Sequence, residues 1–174
     1  MNQLRIALTG VESVGKTTLA NALAQHYSGQ AVYEFAREYL VDKPTYTASD
    51  VLKIALEQIK RQAVVPTCMT FFDTELTVIK LWYETKYQTP LPAHIQQAYI
   101  AQAFDLYLLP CPDLAWEADP QREIPDRQAR YTLFEKYQNT LEALQRPYIV
   151  ITGQGQARVS QAIEAIDALI NQRS

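Results

Sequence analysis

The stretch GVESVGKTT, residues 10–18, has the spacing G-x-x-x-x-G-K-[ST] that cradles the phosphates of a nucleoside triphosphate. Gly10 and Gly15 let the backbone curl so that its N–H groups converge on phosphate oxygens. Lys16 adds a point charge toward the outer phosphates, and the Thr17 hydroxyl is placed to reach a Mg²⁺ ion. Glu12, Ser13, Val14 and Thr18 complete the candidate ATP-binding stretch. A Mg²⁺ held by one hydroxyl and phosphates needs a nearby carboxylate. Asp73, which ends the apolar run MTFF, is the leading candidate and Glu75 the second. The competing role for Asp73 is to cap the helix that starts at DTEL.

Two further groups of residues have types suited to phosphoryl transfer. In YEFAREY (33–39), Glu34 is expected at the end of a strand, where a carboxylate can accept a proton from a substrate hydroxyl or hold a ribose. Arg37 would share that pocket with Glu34 or with a substrate anion; the plainer alternative is a weak surface ion pair. The second group is arginine-bearing. Arg122, Arg127 and Arg130 lie in or just after the proline- and charge-rich stretch 111–127, which is expected to be a lid. Such cations stabilise charge on a migrating phosphoryl group, while closure excludes water. Otherwise they are solvated and pair with Glu123 and Asp126. Trp116 in this stretch either stacks on a flat base or packs the lid. Gly153 and Gly155, after the last strand, could let backbone approach adenine.

These residues need a scaffold, and the pattern predicts one. Strands are expected at 4–8, 31–35, 68–74, 105–110 and 147–153. Helices are expected at 16–27, 49–65, 75–87, 93–104, 127–144 and 156–171, with Pro66 stopping the second. Alternation of this kind implies one α/β domain over 1–174, a five-stranded parallel sheet flanked by helices. Ligands then sit at the carboxyl ends of the strands, marked here by Gly10, Glu34, Asp73, Pro110 and Gly153. Trp82 is expected in the core, and His26 and His94 as ordinary helix positions.

Composition narrows the function. Sixteen basic against nineteen acidic residues give a net charge of −3, which disfavours a nucleic-acid partner held by its phosphates. Cys68 and Cys111 have no metal-site spacing and read as free thiols of a reducing cytoplasm. No apolar run is long enough to span a bilayer, and the chain is expected to be cytoplasmic with no membrane partner. The guanine-reading N/T-K-x-D motif of regulatory GTPases is missing, and there is no room for the helical subdomain of a large mechanical ATPase. A small-molecule kinase of the nucleoside or nucleotide type remains, with an ATP-binding regulatory module as the alternative from another class.

The segments GVESVGKTTL, YEFAREYL, FFDTELTVIKLW, FDLYLLPCPDLAWEADPQRE and RPYIVITG, in this order, resemble the ribosylnicotinamide kinase domain of NadR-type NAD-biosynthesis proteins, a P-loop, AAA-like ATPase/kinase. The resemblance implies transfer from ATP-Mg²⁺ to the 5′-hydroxyl of nicotinamide riboside, giving nicotinamide mononucleotide. It implies that residues 10–18 hold ATP and that Asp73 lies by the metal and the reacting hydroxyl. It places Trp116, Asp119 and Arg122 in a lid-side substrate segment, which favours stacking by Trp116 on the flat nicotinamide. The catalytic set is then Lys16, Glu34, Asp73, Arg122 and Arg127, with the base open between Glu34 and Asp73. The substrate set is Glu34, Arg37, Trp116 and Asp119. The chain departs from the family at Ser13-Val14, where serine is usually repeated. It also starts close to the first strand, so the nucleotidyltransferase activity of the longer proteins is expected to be absent. A kinase for another nucleoside or a nucleoside monophosphate is the nearest alternative.

Overall fold

The computed structural model describes residues 3–43, 45–64 and 67–173. Its strands are β1 (Arg5–Leu8), β2 (Gln30–Val32), β3 (Thr70–Asp73), β4 (Leu106–Pro110) and β5 (Tyr148–Ile151). Its helices are α1 (Lys16–His26), α2 (Phe35–Tyr39), α3 (Ala48–Ala63), α4 (Leu76–Tyr87), α5 (Ala93–Ala101), α6 (Arg127–Ala143) and α7 (Gln156–Arg173). The strands form a single parallel sheet in the order β2-β3-β1-β4-β5, the doubly wound α/β architecture expected from the alternating pattern.

β1 is central because its sequence is apolar toward both faces. Ile6, Ala7 and Leu8 are all inaccessible to solvent, as a strand covered by helices on both sides requires. On one face Ile6 and Leu8 pack with Leu19 and Leu23 of α1 and with Ala162 and Ile166 of α7. On the other, Ala7 and Phe72 pack with Phe134, Tyr137 and Leu141 of α6. A third cluster joins α2, α3, α4 and α5 through Ala36, Ile54, Ile79 and Ile95. This last cluster makes a wall beside the sheet, on the side where β2 and β3 end.

Three local expectations change. The second strand stops at Val32, and residues 35–39 form a helix that the alternation of YEF obscures. Glu34 therefore does not end a strand; it is the N-cap residue of α2. The cause is packing: the adjacent pairs Phe35-Ala36 and Tyr39-Leu40 are buried or half-buried while Arg37 and Glu38 between them are exposed, a period near four that a strand's alternation of faces does not give. The fifth strand ends at Ile151, so Gly153 lies in the following turn with φ of +81°. The predicted end of α3 at residue 65, and the Pro66 stop, fall outside the described residues. None of the described helices is long and apolar enough to cross a membrane.

Candidate active site

The turn after β1 sets up the site. Gly10 adopts φ of +125° and Gly15 φ of +76°, both costly for a residue with a Cβ. A Cβ on Gly10 would come within 3.1 Å of the Leu109 side chain. Ser13 also lies in the left-handed region, at φ +56°, so the loop holds its curl with one non-glycine residue under strain. No side chain caps the N-terminus of α1. Its first N–H groups and the positive end of its dipole are left for an anion. Lys16 Nζ donates to the carbonyls of Gly10 (3.0 Å) and Val11 (2.8 Å), folding over the loop.

β3 lies beside β1 with Asp73 opposite Leu8, so its carboxylate emerges against the first turn of α1. The Thr17 hydroxyl donates to Asp73 Oδ2 at 2.5 Å. Asp73 Oδ1 is buried and has no hydrogen-bond partner among the described residues. Asp73 does not cap α4; Glu75 does, accepting from Thr77 N at 2.7 Å. Glu75 is inaccessible to solvent and accepts also from Thr9 Oγ1 (2.6 Å), Thr77 Oγ1 (2.7 Å) and Gln102 Nε2. Its oxygens are committed, and it does not line the cavity beside the loop. The second candidate for the metal carboxylate is thereby excluded from that place. Among the described residues there is no cluster of three or more His, Cys, Asp or Glu suited to a metal. The orphaned Asp73 oxygen beside a hydroxyl fits a hard cation whose other ligands are phosphates and water.

A cavity of about 700 Å³ runs from this turn to α2 and α4. Residues 10–18, Glu34, Arg37, Asp73 and Arg122 all line it. Burial raises the Glu34 carboxyl above its ordinary range and Asp73 adds to that, against the opposing pull of Lys16 and Arg37. Burial lowers the Lys16 ammonium, against the support of Glu34 and Asp73. Arg37 donates to Asp119 Oδ2 at 3.0 Å and lies 3.8 Å from Glu34. Asp119 is held below the usual carboxylate range by the Gln121 N–H and by Arg37. It meets the site through Arg37 and does not line the cavity itself.

Two aromatic expectations exchange places. Trp116 does not line the main cavity; it borders a second one of about 300 Å³ with Pro112, Pro125 and Arg127. Trp82, expected in the core, is half-buried and lines the main cavity, its Nε1 donating to the Tyr46 hydroxyl at 2.8 Å. Arg127 begins α6 beside the second cavity, exposed, and stands apart from Arg122. Gly153 lines neither cavity, whereas its neighbour Gln154 reaches the main one.

Residues 111–126 carry no helix or strand and lie closed over the turn. Glu12 accepts from Trp116 Nε1 (3.2 Å), Glu123 N (2.9 Å) and Ile124 N (2.6 Å). Ser13 Oγ accepts from Glu117 N (3.1 Å) and Arg122 Nη1 (3.2 Å). Glu123 pairs with Lys86 at 2.6 Å and with the Tyr46 hydroxyl at 2.6 Å, and Asp126 caps α6; neither pairs with the lid arginines. Arg130 is buried, donating to Leu114 O and Ser13 O. Arg158, also buried, ties Val14 O, Cys111 O and Gly153 O together and pairs with Asp113. Arg130, expected as a lid cation, instead buries its guanidinium against backbone carbonyls; no motif marks Arg158, and only its position on the inner face of α7 could have singled it out.

A family model described as an AAA domain matches residues 5–158. The trifunctional NAD biosynthesis/regulator protein NadR of Salmonella typhimurium is 28% identical over 127 residues, which are 68% of this chain and 31% of that protein. The chain thus spans less than a third of that curated relative. The crystal structure of NadR protein in complex with NR superposes with a TM-score of 0.75 at 22% identity, over 94% of this chain and 50% of the other. Deoxyadenosine kinase from M. mycoides, solved with products dCMP and dCDP, gives 0.63 at 13% identity over 94% and 98%. The likeness to the NadR-type kinase domain read from the motifs is borne out, and the fold is that of P-loop nucleoside kinases.

Proposed function

The chain belongs to the AAA domain family (AAA_28), and from that premise we propose that it is an ATP- and Mg²⁺-dependent kinase phosphorylating a riboside, nicotinamide riboside foremost. One observation carries the kinase reading. Lys16, Glu34, Asp73 and Arg122, drawn from four separate segments, face one cavity beneath a closed lid.

In this reading residues 10–18 hold the triphosphate with backbone N–H groups and the open end of α1. Thr17 and Asp73 hold Mg²⁺, which when bound supplies charge neutralisation at the phosphates. Glu34, whose burial favours the protonated form, accepts the proton of the acceptor hydroxyl as the new O–P bond forms. The γ-phosphoryl group passes to that oxygen and ADP leaves. Lys16 and Arg122 stabilise the charge that spreads over the transferred group. The lid keeps water from replacing the acceptor. Trp116 and Arg127, at the second cavity, are assigned to the donor's base, and Asp119 orients Arg37.

A riboside is favoured over a monophosphate by charge. The two cations lining the acceptor half of the cavity, Arg37 and Lys86, are both paired, with Asp119 and Glu34 and with Glu123. A phosphate would have to break those pairs. Beside them Trp82, Tyr46 and Leu81 offer an aromatic and apolar wall for a flat ring. The test is ADP release and product formation with nicotinamide riboside, other nucleosides and nucleoside monophosphates. Turnover with ribosides alone supports the reading; turnover with monophosphates alone rejects it.

A further inference from the structure

Glu12 presents a physical puzzle. The phosphate-cradling spacing leaves its position free, yet it places a carboxylate beside the site of a highly charged anion, which is electrostatically adverse. The side chain faces the lid instead. Its two oxygens accept three lid donors: the Trp116 indole N–H and the backbone N–H groups of Glu123 and Ile124. The next residue continues the contact, since Ser13 Oγ accepts from Glu117 N and from Arg122 itself. Arg130 adds a bridge from Ser13 O to Leu114 O on the near end of the lid. The lid is therefore docked from both ends on two consecutive residues of the phosphate turn. One of these, Ser13, is held in the left-handed region.

We infer that Glu12 is a positioning residue that couples triphosphate occupancy of the turn to closure of the lid, so that Arg122 reaches its working place only when the donor is held. The inference rests on the kinase reading for its catalytic consequence, but the coupling itself does not depend on the acceptor. The backbone of residues 10–15 serves the phosphates while the side chains of Glu12 and Ser13 serve the lid. A turn that changes shape must therefore move both. Geometric displacement of a catalytic group by about 1 Å can cost about 10²-fold in rate, so a slackened latch acts on transfer more than on donor binding.

The experiment uses the full chain as wild type, Glu12→Gln and Glu12→Ala, with two readouts. The first is tryptic cleavage after Arg122 and Arg127, with and without a non-hydrolysable ATP analogue. The wild-type lid should be protected by the analogue, and the Glu12→Ala lid should be cut about tenfold faster and gain little protection. Glu12→Gln, which keeps one acceptor oxygen, should fall between them and serves if Glu12→Ala does not fold. The second readout is the ratio of acceptor-dependent transfer to hydrolysis of ATP by water. That ratio should fall about tenfold or more in Glu12→Ala, while the KM for ATP should rise by no more than the factor by which the analogue protects the wild-type lid, since occupancy and closure are linked reciprocally. Equal lid protection in both variants and wild type overturns the inference, as does an unchanged ratio. If wild type transfers to no acceptor, the kinase reading fails while the proteolysis arm still decides the coupling.

Discussion

Thr17 and Asp73, 56 residues apart in the chain, meet at 2.5 Å where the first turn of α1 faces the end of β3. This contact joins the glycine-rich turn to the carboxylate side of the cavity, and the other Asp73 oxygen, Oδ1, buried and without a hydrogen-bond partner among the described residues, is the one the kinase proposal gives to Mg²⁺. Asp73→Asn keeps the shape and removes the charge. Transfer is expected to fall by about 10²-fold or more, as for loss of one preorganised electrostatic group. Chelation by EDTA should abolish activity in wild type and added Mg²⁺ restore it. Full activity of Asp73→Asn, or activity indifferent to EDTA, would contradict the assignment.

Glu34 makes a paired prediction in pH. Its folded-state affinity for a proton is raised, chiefly by burial, so the folded protein holds more protons than the unfolded chain between the two values. Stability contributed by protonated Glu34 is present below the unfolded value and is lost as pH rises through the folded one. Glu34→Gln should therefore melt higher than wild type at neutral pH, with the advantage disappearing in acid. Activity runs the other way, since a base must be ionised. Wild-type kcat should rise with pH through a value above the ordinary carboxylate range, and Glu34→Gln should lack that limb. A Glu34→Gln enzyme with an unchanged pH profile assigns the proton to another group.

Glu75 predicts a purely structural loss. It is inaccessible to solvent and accepts from Thr9, Thr77 and Gln102, while Arg146 donates to the Thr77 hydroxyl at 3.0 Å. Glu75→Ala leaves several buried donors without an acceptor, an expected cost of about 3 kcal/mol. Urea unfolding should show a lower midpoint with an unchanged m-value. A midpoint within error of wild type would show that the network relaxes without cost.

The two tryptophans separate the two ligands. Trp82→Ala should raise the acceptor KM about tenfold, the scale of a lost aromatic contact, and leave the ATP KM nearly unchanged. Trp116→Ala should do the reverse, because that ring borders the other cavity, the one assigned to the donor's base. Steady-state kinetics with each substrate varied in turn would show it, and identical effects of both substitutions would remove the distinction.

The sheet and the phosphate turn were legible because their signals are local. A short apolar strand, two glycines at fixed spacing and Lys16-Thr17 leave few alternatives, and Asp73 followed from the parallel pairing of β3 with β1. α2 was obscured because YEF alternates like a strand, and only the tertiary burial of the adjacent pairs Phe35-Ala36 and Tyr39-Leu40 selects the helix. The exchange of Trp82 and Trp116 had no sequence signal. Trp82 sits among Val78, Ile79 and Leu81 on a helix whose apolar side faces both the core and the cavity, and periodicity does not distinguish those surfaces. Arg130 reads as a lid cation and Arg158 as an ordinary charged helix position until their carbonyl partners, far along the chain, are known.

The central claim is that this cavity transfers the γ-phosphoryl group of ATP to the hydroxyl of a riboside. The most direct measurement is phosphorus transfer from γ-labelled ATP with Mg²⁺ to nicotinamide riboside, beside a panel of nucleosides and nucleoside monophosphates, with Lys16→Ala as the inactive control. The account predicts labelled nicotinamide mononucleotide from wild type, at least tenfold more efficient than transfer to any monophosphate, and none from Lys16→Ala. Label appearing only in inorganic phosphate, or only on a monophosphate acceptor, would contradict it.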